Sequence, residues 1–189
     1  MVGRVRFQGS VKRDAFRFAA DSTQAPAYFD GAGNSLRLAF LKAPLKFSRV
    51  SSGFSMRRFH PVQHRWKSHL GTDYAAPYGT PILAVGDGVV EKAGYTAGNG
   101  NYVKIRHNGV YETQYLHMRK ILVKKGQRVQ QGQTIGEVGS TGLATGPHVC
   151  FRFWKNGQQV DHRREELPTA EPVPAAARAR FDLLKQDLQ

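Results

Sequence analysis

Three pairs of side chains in this sequence are of types, and at spacings, that can hold a metal ion or move protons. The first is His69 and Asp73, in the run His69-Leu70-Gly71-Thr72-Asp73. Imidazole nitrogen and carboxylate oxygen are both good ligands for Zn2+. A four-residue spacing would put the two groups on one face of a helix. Gly71 and the following Tyr74-Ala75-Ala76-Pro77 argue instead for a bend that brings both to one ion. The second pair is Tyr115 and His117, a phenol and an imidazole on one face of a strand-like run. The third is His148 and Cys150, in Gly146-Pro147-His148-Val149-Cys150. A strand presents residues i and i+2 on the same side. It can offer both groups to one ion, or one to an ion and the other to a substrate. Taken singly, His148 reads as a hydrogen-bonded core histidine and Cys150 as a small core filler.

Together the pairs say more. Zinc hydrolases use three protein ligands and leave a fourth position to water. His69, Asp73 and Cys150 would supply three, with His117 and His148 free near the open position. Histidines placed there can take a proton from water, orient it or stabilise an oxyanion. The basic and aromatic run from His60 to Ser68 reads as a solvated loop. His60, His64 and His107 lack a spaced partner and read as structural.

The elements that must position these groups are mostly β. Pro81 to Val85 runs into the turn Gly86-Asp87-Gly88 and then Val89 to Ala93. In Asn101 to His107 the residues Val103, Ile105 and His107 share a face, and in Tyr111 to His117 so do Tyr111, Thr113, Tyr115 and His117. In the last strand Val149, Phe151 and Phe153 form a core face. The opposite face carries His148, Cys150, Arg152 and Trp154, an odd set for a solvated side. Three zones follow: 1–47, the remnant of an N-terminal β unit; 48–167, dense in glycine and β-formers; and 168–189. The last is a linker with Pro168, Pro172 and Pro174, then an amphipathic helix with Ala179, Phe181, Leu183, Leu184 and Leu188.

Composition bounds the function. The 189 residues are 40% apolar and 22% charged, enough for a buried core and too little for wholesale disorder. The longest apolar runs fall far short of the roughly 20 residues that span a bilayer, so no transmembrane helix is expected. Met1 to Phe7 has no apolar run after its basic residues, so no signal peptide is expected. Lys and Arg number 28 against 14 acids, a net charge of +14. That balance suits nucleic acid, an anionic membrane or an acidic cell-wall polymer. The basic residues are scattered and sit on no groove-reading element, which argues against nucleic acid. The lone Cys150 cannot form an internal disulfide.

At these residues the sequence resembles the LytM/lysostaphin-type zinc endopeptidases of bacterial cell walls. The resemblance runs over roughly residues 44 to 166. It rests on His69 to Pro77, Gly79-Thr80-Pro81, Ala84 to Val90, Gly100 to Val103, Tyr115-Leu116-His117 and Gly136 to His148. The stretch Ser35 to Pro44 is similar to the subgroup that cleaves peptide crosslinks of Gram-negative peptidoglycan. The resemblance implies a mainly β fold, a compact antiparallel sheet with a groove over it, and zinc-dependent cleavage of peptide bonds in peptidoglycan stems or crosslinks. It implies His69 and Asp73 as zinc ligands, His117 and His148 as catalytic histidines, and Tyr115 and Asn101 as groove-lining residues. It also implies a cell-envelope or periplasmic setting.

One position departs from the family. Its closing signature is His-x-His, whose second histidine is the third zinc ligand, and Cys150 stands there. Thiolate is a strong zinc ligand, so coordination is expected to survive. Aspartate plus thiolate cancels the charge of Zn2+, which should raise the pKa of its water and lower activity. The runner-up reading is a catalytically impaired LytM-type domain that regulates cell-wall hydrolases, with an envelope protein as partner. A biotinyl- or lipoyl-type carrier is argued against: Gly126 to Gly136 has its hairpin grammar, but no modifiable lysine motif accompanies it.

Overall fold

A computed structural model describes residues 3–7, 13–20, 26–60 and 65–188. The chain divides into two compact units, Met1–Phe40 with Leu167–Gln189, and Leu41–Glu166.

In the first unit, β1 (Gly3–Phe7), β2 (Arg13–Phe18) and β3 (Ala27–Phe29) form an antiparallel sheet in that order. Helix α1 (Arg178–Asp187) follows a single 3-10 turn, Ala175–Ala177. The two ends of the chain share one core. Phe181 is fully buried, with edge-on ring contacts to Phe16, Phe18 and Phe29. The buried stripe of the helical segment is Ala177 and Phe181, with Leu184 and Leu188 packed against the cluster. Ala179 and Leu183, expected on that stripe, point outward. Spacings of four, three and four keep the stripe on one face, and Leu183 falls off it. The proline-rich stretch is pinned by backbone bonds: Ala39 N–H donates to the Pro168 carbonyl and Ala170 N–H to that of Arg37.

Among the described residues the second unit has thirteen strands. They begin with β4 (Arg49–Ser52), β5 (Ser55–His60), β6 (Arg65–His69), β7 (Thr72–Ala75) and β8 (Pro81–Leu83). Next come β9 (Gly88–Thr96), β10 (Gly100–Arg106), β11 (Tyr111–Met118), β12 (Lys120–Ile121) and β13 (Arg128–Val129). The last are β14 (Thr134–Glu137), β15 (His148–Lys155) and β16 (Gln158–Val160). The main sheet runs β13-β9-β10-β11-β15-β7-β4, with β16 also paired to β15. A second sheet is β12-β14-β8, and β5 and β6 pair as a hairpin. All the pairings are antiparallel.

Period-two alternation builds the core of this unit. Val149, Phe151 and Phe153 of β15 are all buried, as are Val103 and Ile105 of β10. The alternation breaks at the end of β11. Tyr115 pairs with Val103 but Met118 with Asn101, so β11 carries one extra residue, a β-bulge. His117, inside the bulge, has φ of 63°. His64 lies outside the described residues.

Candidate metal centre

Asp73 and Cys150 are cross-strand partners of β7 and β15. Directly opposite residues hold their Cβ atoms about 4.5–5.5 Å apart, so carboxylate and thiol share one spot on the sheet. His69 reaches the same spot from the end of β6 because the link to β7 is tight. A Cβ at Gly71 would stand 2.9 Å from the Phe151 carbonyl oxygen and 3.1 Å from Cys150 Sγ. Only glycine lets this link lie so close on β15. His69 Nε2 is consequently 3.0 Å from Asp73 Oδ1 and 3.5 Å from Cys150 Sγ. The ligand atoms of these three buried residues all lie within 4.8 Å of one another.

Three histidines are held alike. Nδ1 faces a backbone carbonyl in each: His69 to Gly53 at 2.9 Å, His117 to Thr141 at 2.8 Å, His148 to Gly146 at 2.8 Å. A carbonyl only accepts, so each Nδ1 donates its N–H and each Nε2 is left for other work. In neutral His69 that nitrogen is a lone pair facing a carboxylate oxygen at 3.0 Å. Two acceptors do not rest in contact, so a proton or a cation belongs between them. His107 is the contrast. Its Nδ1 donates to the Asp87 carbonyl at 2.7 Å and its Nε2 meets Thr113 Oγ1 at 2.8 Å, so both nitrogens serve the structure.

The electrostatics point the same way. Burial opposes ionisation of Asp73, but the hydrogen bond and charge of His69, with His148, outweigh it and hold the carboxyl below its ordinary range. Burial foremost, then Asp73, pushes the Cys150 thiol up to about 12. A divalent cation reverses both effects and ionises a coordinating thiol. The nitrogen, oxygen and sulfur donors fit tetrahedral zinc, whose bonds of about 2.0–2.3 Å space its ligands roughly 3.3–3.8 Å apart.

His117 and His148 flank this cluster, with ring centroids 4.8 Å apart. His148 Nε2 is 3.8 Å from Asp73 Oδ1. Burial foremost pushes His117 down to about 4, against the raising effect of the Thr141 carbonyl. The imidazole is thus neutral at neutral pH and can accept a proton. Both rings line a cavity of about 380 Å³ together with His69, Asp73 and Cys150.

Two residues expected in the groove lie elsewhere. Tyr115 is fully buried, beside Phe151, and its hydroxyl accepts from the Val85 N–H at 3.0 Å. It faces the core because its register partner on β15 is Phe151, on the core face. The bulge then sends His117 to the opposite side, so the two do not share a face. Asn101 does not line the cavity. Its Nδ2 donates to the Met118 carbonyl at 3.0 Å and its backbone N–H to Thr141 Oγ1 at 2.9 Å, which braces the loop behind His117.

Sequence reasoning gave no role to Thr141, Asn99 or Arg152, although it marked the strand face of Arg152 as unusual. Thr141 and Asn99 act through backbone carbonyls, the first on the His117 ring and the second on the His117 N–H at 2.9 Å. Backbone roles leave no side-chain signature. Arg152 had a signal, its place on the face of His148 and Cys150.

Residues 67–162 match the sequence profile of Peptidase family M23, a span that contains all five residues of the cluster. Peptidoglycan DD-endopeptidase ShyC of Vibrio cholerae is 53% identical over 154 residues, 82% of this chain and 36% of that protein. The chain thus spans well under half the length of this relative. A zinc containing peptidase from Vibrio cholerae superposes with a TM-score of 0.66 at 41% identity, over 87% of this chain and 50% of that one. The catalytic domain of lysostaphin from Staphylococcus simulans gives 0.54 at 32% identity, over 60% of this chain and 88% of that one. The antiparallel β fold expected from the sequence is the fold of these peptidases, and the chain belongs to peptidase family M23.

Proposed function

We propose that this chain is a zinc metalloendopeptidase that hydrolyses peptide bonds in peptidoglycan stem peptides or crosslinks, in the cell envelope or periplasm. One observation carries the reading. Three imidazoles, each anchored through Nδ1 to a backbone carbonyl, stand around a buried carboxylate and thiol. The relatives named as peptidoglycan DD-endopeptidases support the substrate class, and the net charge of +14 suits an anionic wall.

His69, Asp73 and Cys150 hold the metal, and residues 48–167 form the peptidase domain. Bound Zn2+ supplies Lewis acidity and a water of lowered pKa. His117, neutral and fixed in tautomer by Thr141, accepts the proton of the attacking water at Nε2. His148 presents its own Nε2 across from it; protonated there, as imidazolium, it can donate to the scissile carbonyl, and the proton that His117 takes from the water is the one passed on to the leaving amine.

The test is zinc per chain together with digestion of crosslinked muropeptides. The expected result is about one zinc and release of uncrosslinked products, abolished by His148→Ala. A folded protein that takes up no zinc, or a zinc-loaded one that cuts no crosslinked peptide, overturns the reading.

A further inference from the structure

Arg152 lies two residues beyond Cys150 on β15 and faces the same cavity. Its stem packs on the tight link before Asp73, with Cγ 3.0 Å from the place of a Cβ on Gly71. Its Nε is buried and donates to nothing among the described residues. Native folds seldom leave such a donor unmet. The cavity wall also has an excess of positive charge before any metal is counted. Arg152 and Lys67 line it, and Asp73 is the one carboxylate among the described residues that does. Asp73 is already turned to His69 at 3.0 Å. The guanidinium has one side-chain hydrogen bond within the protein, to Cys150, and Arg152 lines the cavity as a planar, permanently charged group with donors to spare.

A guanidinium fork matches the two oxygens of a carboxylate. Same-face residues two apart on a strand are separated by about 6.6 Å. That is the length of roughly two residues of extended peptide. We propose that Arg152 binds a free carboxylate carried by the substrate within two residues of the bond to be cut, so that the site selects acidic peptides over amidated ones. This rests on the peptidase reading above and names its substrate more closely.

The experiment measures binding rather than cleavage. The full chain, zinc-loaded and carrying His117→Ala so that peptide is not consumed, is titrated with acetyl-D-alanyl-D-alanine and with its C-terminal amide. The free acid should bind roughly 10- to 100-fold more tightly, the range of one hydrogen bond to a charged group. Adding Arg152→Gln should bring the ratio close to one, and Arg152→Lys, which keeps charge but loses the fork, should fall between. Zinc content reports that each variant is folded with its metal cluster intact. A preference that survives Arg152→Gln comes from the metal and overturns the proposal. So does a His117→Ala protein with no preference, whether it binds both probes equally or neither. Failure of the parent chain to cut crosslinked peptide would count against the proposed function and leave this result standing.

Discussion

His117 donates its Nδ1–H to the Thr141 carbonyl at 2.8 Å, and does so from a backbone φ of 63°. A positive φ is uncommon for any residue but glycine and persists where surrounding structure over-determines it. Here the surroundings are explicit. Thr141 Oγ1 donates to the Met118 carbonyl at 2.8 Å and accepts from the Asn101 N–H at 2.9 Å. The loop after β14 is thereby stitched to the bulge in β11. Strain and loop together hold Nε2 of His117 at the cluster.

If that geometry exists for proton transfer, His117→Ala should lower kcat by about 10²- to 10⁴-fold, the ordinary worth of a positioned acid or base. KM and zinc content should stay near those of the parent. Steady-state kinetics with elemental analysis checks this. A variant that also loses zinc would make His117 a ligand rather than a base.

Cys150 yields a prediction about ligation. Cys150→Ala removes one of three donors and should abolish stable zinc binding. Cys150→His, offering nitrogen from the same strand position opposite Asp73, should keep about one zinc per chain. Because burial and Asp73 keep the free thiol protonated, zinc loading near neutral pH should release about one proton from Cys150. Calorimetry in buffers of different ionisation enthalpy reads that proton directly.

Much of this was legible in the sequence, for identifiable reasons. Strand alternation put Val149, Phe151 and Phe153 inward and Cys150 on the functional face, because β15 is regular. The same rule failed at Tyr115 and His117. A one-residue bulge inverts every side chain beyond it, and nothing in Tyr115-Leu116-His117 marks its position. In the first unit, Phe16, Phe18 and Phe29 meet Phe181 across some 150 residues of chain, a pairing that local patterns do not encode.

Reassigning Tyr115 to the core has a measurable consequence. Tyr115→Phe removes the hydroxyl that accepts from the Val85 N–H and hydrogen-bonds Thr113 Oγ1, whose own proton goes to His107 Nε2. The groups left unpaired are buried, so stability should fall by about 1–3 kcal/mol, read from the urea midpoint at constant m. KM should not change. A rise in KM without loss of stability would restore Tyr115 to the substrate groove.

His162 sets the acid limit of the second unit. Its Nε2 meets the Tyr74 hydroxyl at 2.8 Å, and it packs edge-on against Phe151, ring centroids 4.8 Å apart. Burial foremost pushes its pKa down to about 4 from an ordinary 6.5. Above pH 6.5 neither the folded nor the unfolded chain protonates this residue, so its contribution does not vary. Between 6.5 and 4 the unfolded chain takes up the proton and the folded chain does not. Stability therefore falls with falling pH across that window, by about 3 kcal/mol at most, and levels off below pH 4. His162→Gln keeps a hydrogen-bonding group beside Tyr74 but cannot titrate. Urea unfolding of parent and variant from pH 7.5 to 4.5 should show the parent losing stability more steeply, by up to about 1.4 kcal/mol per pH unit. Parallel curves would mean that His162 is protonated in the fold, with the Tyr74 hydroxyl accepting from it.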